Sequence, residues 1–161
     1  MAAPTVRRVK PALPYVPAGT MIVDIEHMSH AFTKYHLSDG RALHRFRSGE
    51  PHADPHDHPW LFETEILDGG YVEEVFHIDP AGGWRSELVH RAPYTAHQVE
   101  APHIHRIVEL PQRDCWTLIR AGRHEREVCF WRFGNHGVKS RAWHERRWRP
   151  LLAVRHRHIM P

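Results

Sequence analysis

Cysteine is scarce in this sequence, and long apolar runs are missing. Only Cys115 and Cys129 occur among 161 residues, and they do not form a metal-binding pair. We therefore expect two buried, reduced thiols, as is typical of a cytoplasmic protein. No stretch approaches the ~20 apolar residues that span a membrane. The first 20 residues lack the apolar core and cleavage site of a secretory signal. We expect neither a membrane partner nor secretion.

The motifs of two large enzyme classes are also missing. There is no G-x-S-x-G sequence, and neither cysteine has an adjacent histidine, which argues against nucleophilic catalysis. No glycine-rich phosphate loop is present, which argues against a nucleotide-binding enzyme.

Acidic residues are sparse at the C-terminal end. The formal net charge of the chain is +3, but residues 139–161 contain seven lysines and arginines against a single acid, Glu145. This segment has no recognised nucleic-acid-binding motif, so nucleic acid is not an expected partner. We expect a basic C-terminal extension over 136–161 that packs on the body of the protein.

Helical periodicity is rare, and short strands separated by turns dominate. The 13 prolines and 10 glycines are spread along the chain, and the only helix expected is a short one over 141–149. Strands are predicted over 20–25, 31–37, 42–48, 61–67, 71–78, 84–91, 104–110, 115–120 and 127–133. The pattern predicts an all-β protein, a sandwich or small barrel in one domain. Residues 1–18, rich in proline, are expected to form an extended arm.

What the sequence has in abundance is histidine, with 17 copies. The segment HADPHDHPWLFETEILDGGY at 52–71 places His56 and His58 two residues apart. Alternate residues of a strand point to the same side, so these two imidazoles can bind one metal ion. A bend at Pro59 would bring Glu63 to the same point. Histidine nitrogens with one carboxylate are typical ligands of Fe(II), Mn(II), Ni(II) or Zn(II).

The string H-x-H-x4-E-x6-G, formed by His56, His58, Glu63 and Gly70, resembles the first motif of the cupin superfamily. The resemblance extends over about 42–132, although Gly49 lies one residue too far upstream and the second motif lacks its glycine. It implies a double-stranded β-helix, the cupin or jelly-roll barrel, over 19–135. It also implies a metal site made of His56, His58, Glu63 and His105. By analogy with cupins, we expect a homodimer.

Several alternatives for these ligands remain open. Glu65 shares the side of Glu63 and is its alternative, while His97 and His103 are alternatives to His105. His52, Asp54 and His105 would instead form the two-histidine, one-carboxylate triad of 2-oxoglutarate oxygenases, with Arg113 or Arg120 as the basic residue downstream.

The remaining site residues are expected to line the pocket. Arg47, Arg106 or Arg120 is a candidate for binding a substrate carboxylate, because an arginine inside a barrel requires an anion. Candidates for orienting the imidazoles are Asp54, Asp57 and Thr64, and candidates for apolar lining are Phe62, Tyr71, Trp116 and Phe130. We count Glu63, Tyr71 and Arg120 as the candidate catalytic residues. The expected function is a mononuclear metalloenzyme acting on a small polar metabolite. The sequence leaves the reaction class open between an oxygenase, an isomerase and a lyase, with an Fe(II)-dependent dioxygenase, an oxidoreductase, as one candidate. A non-catalytic ligand-binding cupin is the alternative.

Overall fold

A computed structural model describes residues 13–152 of the chain, which form β-strands connected by turns. Within this range the only helix is a 3-10 turn, Leu13–Tyr15. The strands are β1 (Ile22–His27), β2 (Phe32–Leu37), β3 (Ala42–Phe46), β4 (Phe62–Asp68), β5 (Tyr71–Ile78), β6 (Trp84–Arg91), β7 (Ala96–Val99), β8 (Ile104–Glu109), β9 (Cys115–Ala121), β10 (Cys129–Gly134), β11 (Gly137–Ala142) and β12 (Arg149–Pro150). The all-β prediction is confirmed.

The strands form three antiparallel sheets. A large sheet has the order β1-β2-β3-β9-β4-β7, a small sheet the order β6-β5-β8, and a third sheet the order β10-β11-β12. The non-consecutive neighbours β3-β9 and β5-β8 show that the chain crosses repeatedly between the large and small sheets. This crossing gives the two facing sheets of a jelly-roll barrel.

Apolar side chains are buried on both faces of the large sheet. Between the large and small sheets, Ile66 and Cys115 pack with Tyr71 of β5. On the opposite face of the large sheet, Leu43 and Trp116 form a second cluster. The ring of Tyr15 stacks on Trp116 at 4.7 Å, so the short helix covers part of that outer face.

The double glycine of the sequence connects β4 to β5. Gly69 and Gly70 have φ angles of 82° and 74°, in the left-handed region that favours glycine. A Cβ atom on Gly69 would lie 2.5 Å from the carbonyl oxygen of Asp114. Because β4 and β5 belong to different sheets, the turn at these glycines carries the chain from one sheet to the other.

All nine predicted strands are present, with ends displaced by at most two residues, and β7, β11 and β12 are additional. The helix expected over 141–149 does not form. Its residues end β11, pass through a turn and begin β12, because β11 pairs with β10 from Cys129↔Ala142 to Gly134↔Gly137. Residues 1–12 of the expected arm and 153–161 of the expected extension lie outside the described residues. None of the described residues belongs to a helix long and apolar enough to cross a membrane.

Candidate metal centre

The segment that contains His56 and His58 is hydrogen-bonded on both sides to the barrel. The backbone N–H groups of His56 and His105 donate to each other's carbonyl oxygens, both at 3.0 Å. The N–H of Asp57 donates to Cys129 at 3.1 Å, and that of His58 donates to Ala101 at 2.9 Å. The two histidines are therefore fixed relative to His105 of β8 by main-chain contacts.

Three imidazoles converge at this point. His56, His58 and His105 each offer a ring nitrogen, and these nitrogens all lie within 4.8 Å of one another. The Nε2 atoms of His58 and His105 are 3.2 Å apart. Two nitrogens bound at ~2.1 Å to one ion lie about 3.0–3.4 Å apart for the usual coordination angles. The spacing therefore fits a shared divalent metal ion.

Burial keeps two of these imidazoles neutral. It lowers the pKa of His56 to about 3, and the neighbouring imidazoles of His105 and His103 lower it further. Burial likewise lowers the pKa of His58 far below its ordinary value. A neutral imidazole has a free nitrogen lone pair, which is the form that binds a metal.

A buried carboxylate, Glu73, orients the third imidazole. Its side chain is 1% exposed, and one of its oxygens accepts a hydrogen bond from Nδ1 of His105. That bond places the Nδ1 proton towards the carboxylate and leaves Nε2 of His105 with its lone pair towards His58.

Two further donors complete the surroundings of Glu73. Arg91 donates from Nε at 2.6 Å, and His103 from Nε2 at 3.4 Å. Burial alone would raise the pKa of the Glu73 carboxyl, but the bonds from His103, His105 and Arg91 outweigh it and lower that pKa. Glu73 is therefore an ionised carboxylate inside the barrel. It also forms a second group of metal-type side chains with His103 and His105.

The structure does not bring Glu63 to the histidines. Glu63 and Glu65 are exposed on β4, whereas Thr64 and Ile66 on the alternate positions are buried. The inward residue nearest the bend is Phe62, whose ring lies 4.8 Å from that of His58. The bend after Pro59 thus presents the opposite side of β4 from the one expected, and the carboxylate beside the histidines comes from β5.

Glu73 was missed at the sequence level, although a signal for it exists. It lies in the apolar strand YVEEVF, where Tyr71, Glu73 and Val75 alternate on one side and all three are buried. A carboxylate at an inward position of such a strand indicates a charged partner.

Two residues of the alternative triad, His52 and Asp54, lie away from the three converging histidines. His52 is exposed, and both carboxylate oxygens of Asp54 accept bonds from Arg132, at 3.1 and 3.4 Å. His52 and Asp54 line an open groove on the outer face of the small sheet, with a volume of about 290 Å³. This placement does not join them to His105.

The three arginines that were candidates for binding a substrate carboxylate also have other surroundings than the histidines. Arg120 is exposed opposite Glu63 on the outer side of the sheet. Arg106 pairs with Glu74 at 2.6 Å, and Arg47 donates to the hydroxyl of Thr33 at 2.9 Å.

Asp57 was a candidate for orienting an imidazole, but its carboxylate binds donors of residues 126–131 instead. It is 0% exposed and accepts bonds from the backbone N–H of Cys129 at 2.6 Å, Nε1 of Trp131 at 3.0 Å and Nη2 of Arg126 at 2.9 Å. Asp57 therefore ties the segment between His56 and His58 to β10.

Two more inward residues lie beside the histidines. The hydroxyl of Tyr71 is 3.4 Å from Nε2 of His97. Burial, followed by the positive charge of Arg91, lowers the pKa of His97 to about 4, and burial raises the pKa of the Tyr71 hydroxyl. Both groups are neutral near pH 7 and able to form hydrogen bonds with a small molecule.

No protein-family model matches the chain, and no curated protein matches it. Among solved structures, it is similar to CENP-C of Drosophila melanogaster, crystallised bound to CAL1, with a TM-score of 0.47 and 6% identity over 62% of this chain and 76% of that one. It is also similar to the polyketide cyclase RemF of Streptomyces resistomycificus, with a TM-score of 0.40 and 24% identity over 65% and 77% of the two chains.

A third similar structure is Rru_A2000 of Rhodospirillum rubrum, a cupin-2 domain, with a TM-score of 0.41 and 16% identity over 66% and 71% of the two chains. In its own architecture, the chain has the antiparallel two-sheet barrel, with histidines at its interior, that the resemblance to the cupin superfamily implies.

Proposed function

We propose that this chain binds one divalent metal ion through His56, His58 and His105 and acts as a mononuclear metalloenzyme on a small polar metabolite. The convergence of three imidazole nitrogens, one of them oriented by a buried carboxylate, supports this proposal most strongly. In this assignment Glu73 replaces Glu63 as the carboxylate of the site, either by orienting His105 or by binding the ion itself.

The donor set is consistent with several metals. Imidazole nitrogens suit Fe(II), Ni(II) and Zn(II), and Mn(II) is accepted where a carboxylate contributes. An ion held by His56, His58 and His105 would have open positions, where it could supply Lewis-acid polarisation of a carbonyl group or a binding place for O2 beside the substrate. We propose Fe(II) as the physiological metal and a dioxygenase as the first reaction class to assay.

The experiment is a titration of the metal-free protein with Co(II), followed by its visible absorption spectrum. We expect one equivalent to bind, and the His58→Ala variant to lose this binding. His52→Ala is the matched control, because it removes an exposed histidine of the same segment and is expected to bind Co(II) as the unaltered protein does. Equal binding by all three proteins would overturn the proposal.

We also propose that the homodimer forms through β1. Among the described strands, β1 lies at the end of the large sheet, and its Val23 and Ile25 side chains are 59% and 49% exposed. Exposed apolar side chains on an edge strand are typical of a protein interface. Light scattering should show a dimer that the Val23→Lys/Ile25→Lys variant dissociates, whereas Leu88→Lys, at an exposed apolar position of β6, leaves it intact. A monomeric unaltered protein would contradict this proposal.

A further inference from the structure

Arg91 lies at the end of β6, directly opposite Tyr71 of β5. Its side chain is 26% exposed, and its Nε atom donates to Oε1 of Glu73 at 2.6 Å. Within residues 13–152, Glu73 is the hydrogen-bond partner of this side chain, and the bond uses Nε alone. The two terminal amino groups of the guanidinium, Nη1 and Nη2, have no such partner in that range.

The side of the sheet on which Arg91 lies faces the barrel interior. Residues opposite each other in an antiparallel pair share a side, so Arg91 lies on the same side as Tyr71. The Tyr71 ring is 6.4 Å from that of Phe46 on the facing sheet, and the Tyr71 hydroxyl is 3.4 Å from His97 of β7. Arg91, Tyr71 and His97 therefore form a cluster of polar side chains that faces the barrel interior.

Glu73 connects this group to the metal ligands. One of its oxygens accepts the bond from Arg91 and the other accepts the bond from His105. A single carboxylate thus fixes the arginine relative to the third imidazole. A short molecule that contacts both the guanidinium and the metal ion would find the two at a constant spacing.

From this arrangement we infer that Arg91 binds the carboxylate of a small anionic substrate, such as a hydroxy acid, whose other polar group lies at the metal. The inference rests on the proposed metal site and adds the class of substrate. A guanidinium with free terminal amino groups matches a carboxylate in a planar, two-bond geometry. The neutral His97 ring and the Tyr71 hydroxyl add hydrogen-bonding groups without a competing negative charge.

Charge balance supports an anion in this place. The positive charge of Arg91 is balanced by Glu73, and the three imidazoles are neutral when they bind a metal. A divalent ion therefore leaves the site with a net positive charge, which a carboxylate reduces. The arginines that the sequence suggested for this role do not offer it. Both terminal amino groups of Arg106 already donate, to Glu74 and to the carbonyl oxygen of Ala53, and Arg120 is exposed on the outer side of the large sheet.

The test uses glycolate as the anionic probe and ethylene glycol as its neutral counterpart, with binding to the Co(II)-loaded protein measured by calorimetry. We expect glycolate to bind and ethylene glycol to bind at least tenfold more weakly. Loss of a hydrogen bond to a charged group weakens binding by about 10- to 100-fold, so Arg91→Gln should lower glycolate affinity by that factor. In the same variant, the factor by which the affinity for Co(II) falls should be at least tenfold smaller than the factor for glycolate.

Two further variants make the result specific. Arg91→Lys keeps the charge but loses the planar pair of donors, so it should retain part of the glycolate affinity. Arg85→Gln removes an arginine of the same strand whose side chain is 68% exposed, and it should bind glycolate as the unaltered protein does.

Three results would overturn the inference: equal affinities for glycolate and ethylene glycol, an unchanged glycolate affinity in Arg91→Gln, or a parallel loss of Co(II) and glycolate. The last result would make Arg91 a positioning residue that acts through Glu73. If the unaltered protein binds no metal, the proposed function fails. Arg91-dependent binding of glycolate to the metal-free protein would then still support the anion site, and its absence would overturn it.

Discussion

Replacing Glu73 with glutamine tests the role of the buried carboxylate. The substitution keeps the shape of the side chain but removes the negative charge that accepts bonds from Arg91 and His105. It also places an amide N–H group against at least one of these donors. We therefore expect both the stability of the fold and the affinity for metal to fall.

The size of each loss follows from the surroundings of Glu73. Removing one partner of a buried charge pair costs about 3–5 kcal/mol in unfolding free energy. Because the Arg91 side chain is 26% exposed and water partly compensates its charge, we expect the lower end, about 3 kcal/mol. Loss of a group that orients a metal ligand lowers metal affinity by about 10- to 100-fold.

Urea unfolding of the metal-free protein and Co(II) titration measure the two effects. Glu74→Gln is the matched control, because Glu74 is the next residue of β5 and pairs with Arg106 and Ser86 on the outer face. We expect the control to lose about 1 kcal/mol or less and to keep its metal affinity. Equal metal affinity in Glu73→Gln and Glu74→Gln would refute the assignment of Glu73 to the site.

Three other predictions concern stability and are measured by urea unfolding of the metal-free protein. Asp57→Ala leaves three partly buried donors without their acceptor and should cost about 3 kcal/mol, whereas Asp54→Ala removes a partly exposed pair and should cost about 1 kcal/mol or less; equal losses would contradict the contact of Asp57 with β10. Burial and the charges of neighbouring cations lower the pKa of His44 to about 3. On acidification, the unfolded chain therefore takes up this proton at a higher pH than the folded protein does. Stability should therefore fall by about 1.4 kcal/mol per pH unit below pH ~6.5 from this group, and the His44→Phe variant should show a flatter curve; an unchanged slope would refute the shift. Thr117 has a buried hydroxyl without a hydrogen-bond partner among the described residues, so Thr117→Val should raise stability by about 1 kcal/mol, and a loss of 1 kcal/mol would show that the hydroxyl has a partner.

The sequence predicted the strands well because their signals are local. β2 has buried Thr33, Tyr35 and Leu37 at alternate positions, and turns with glycine or proline mark the strand ends. β7 was missed because AHQV is short and largely polar, and β11 was missed because GVKSRA has little apolar content. The helix expected over 141–149 does not form, because β11 pairs with β10. Sequence periodicity gives no information on such pairing between strands.

The histidines of the site were also accessible to sequence reasoning, but the carboxylate was not. His56, His58 and His105 were singled out by spacing and by resemblance, and the structure brings these three together. The side of β4 that faces inward depends on how the chain bends after Pro59. A shift of one residue at this bend turns Phe62 inward in place of Glu63. Glu73 and Arg91 are 18 residues apart, and only the pairing of β5 with β6 makes them neighbours.

The most direct test of the account is elemental analysis of the purified protein beside the His56→Ala/His58→Ala variant, with both shown to be folded by circular dichroism. We predict about one equivalent of iron, manganese, nickel or zinc per chain in the unaltered protein and none in the variant. An unaltered protein that contains no metal and takes up none when Fe(II), Mn(II), Ni(II) or Zn(II) is added would contradict the central claim.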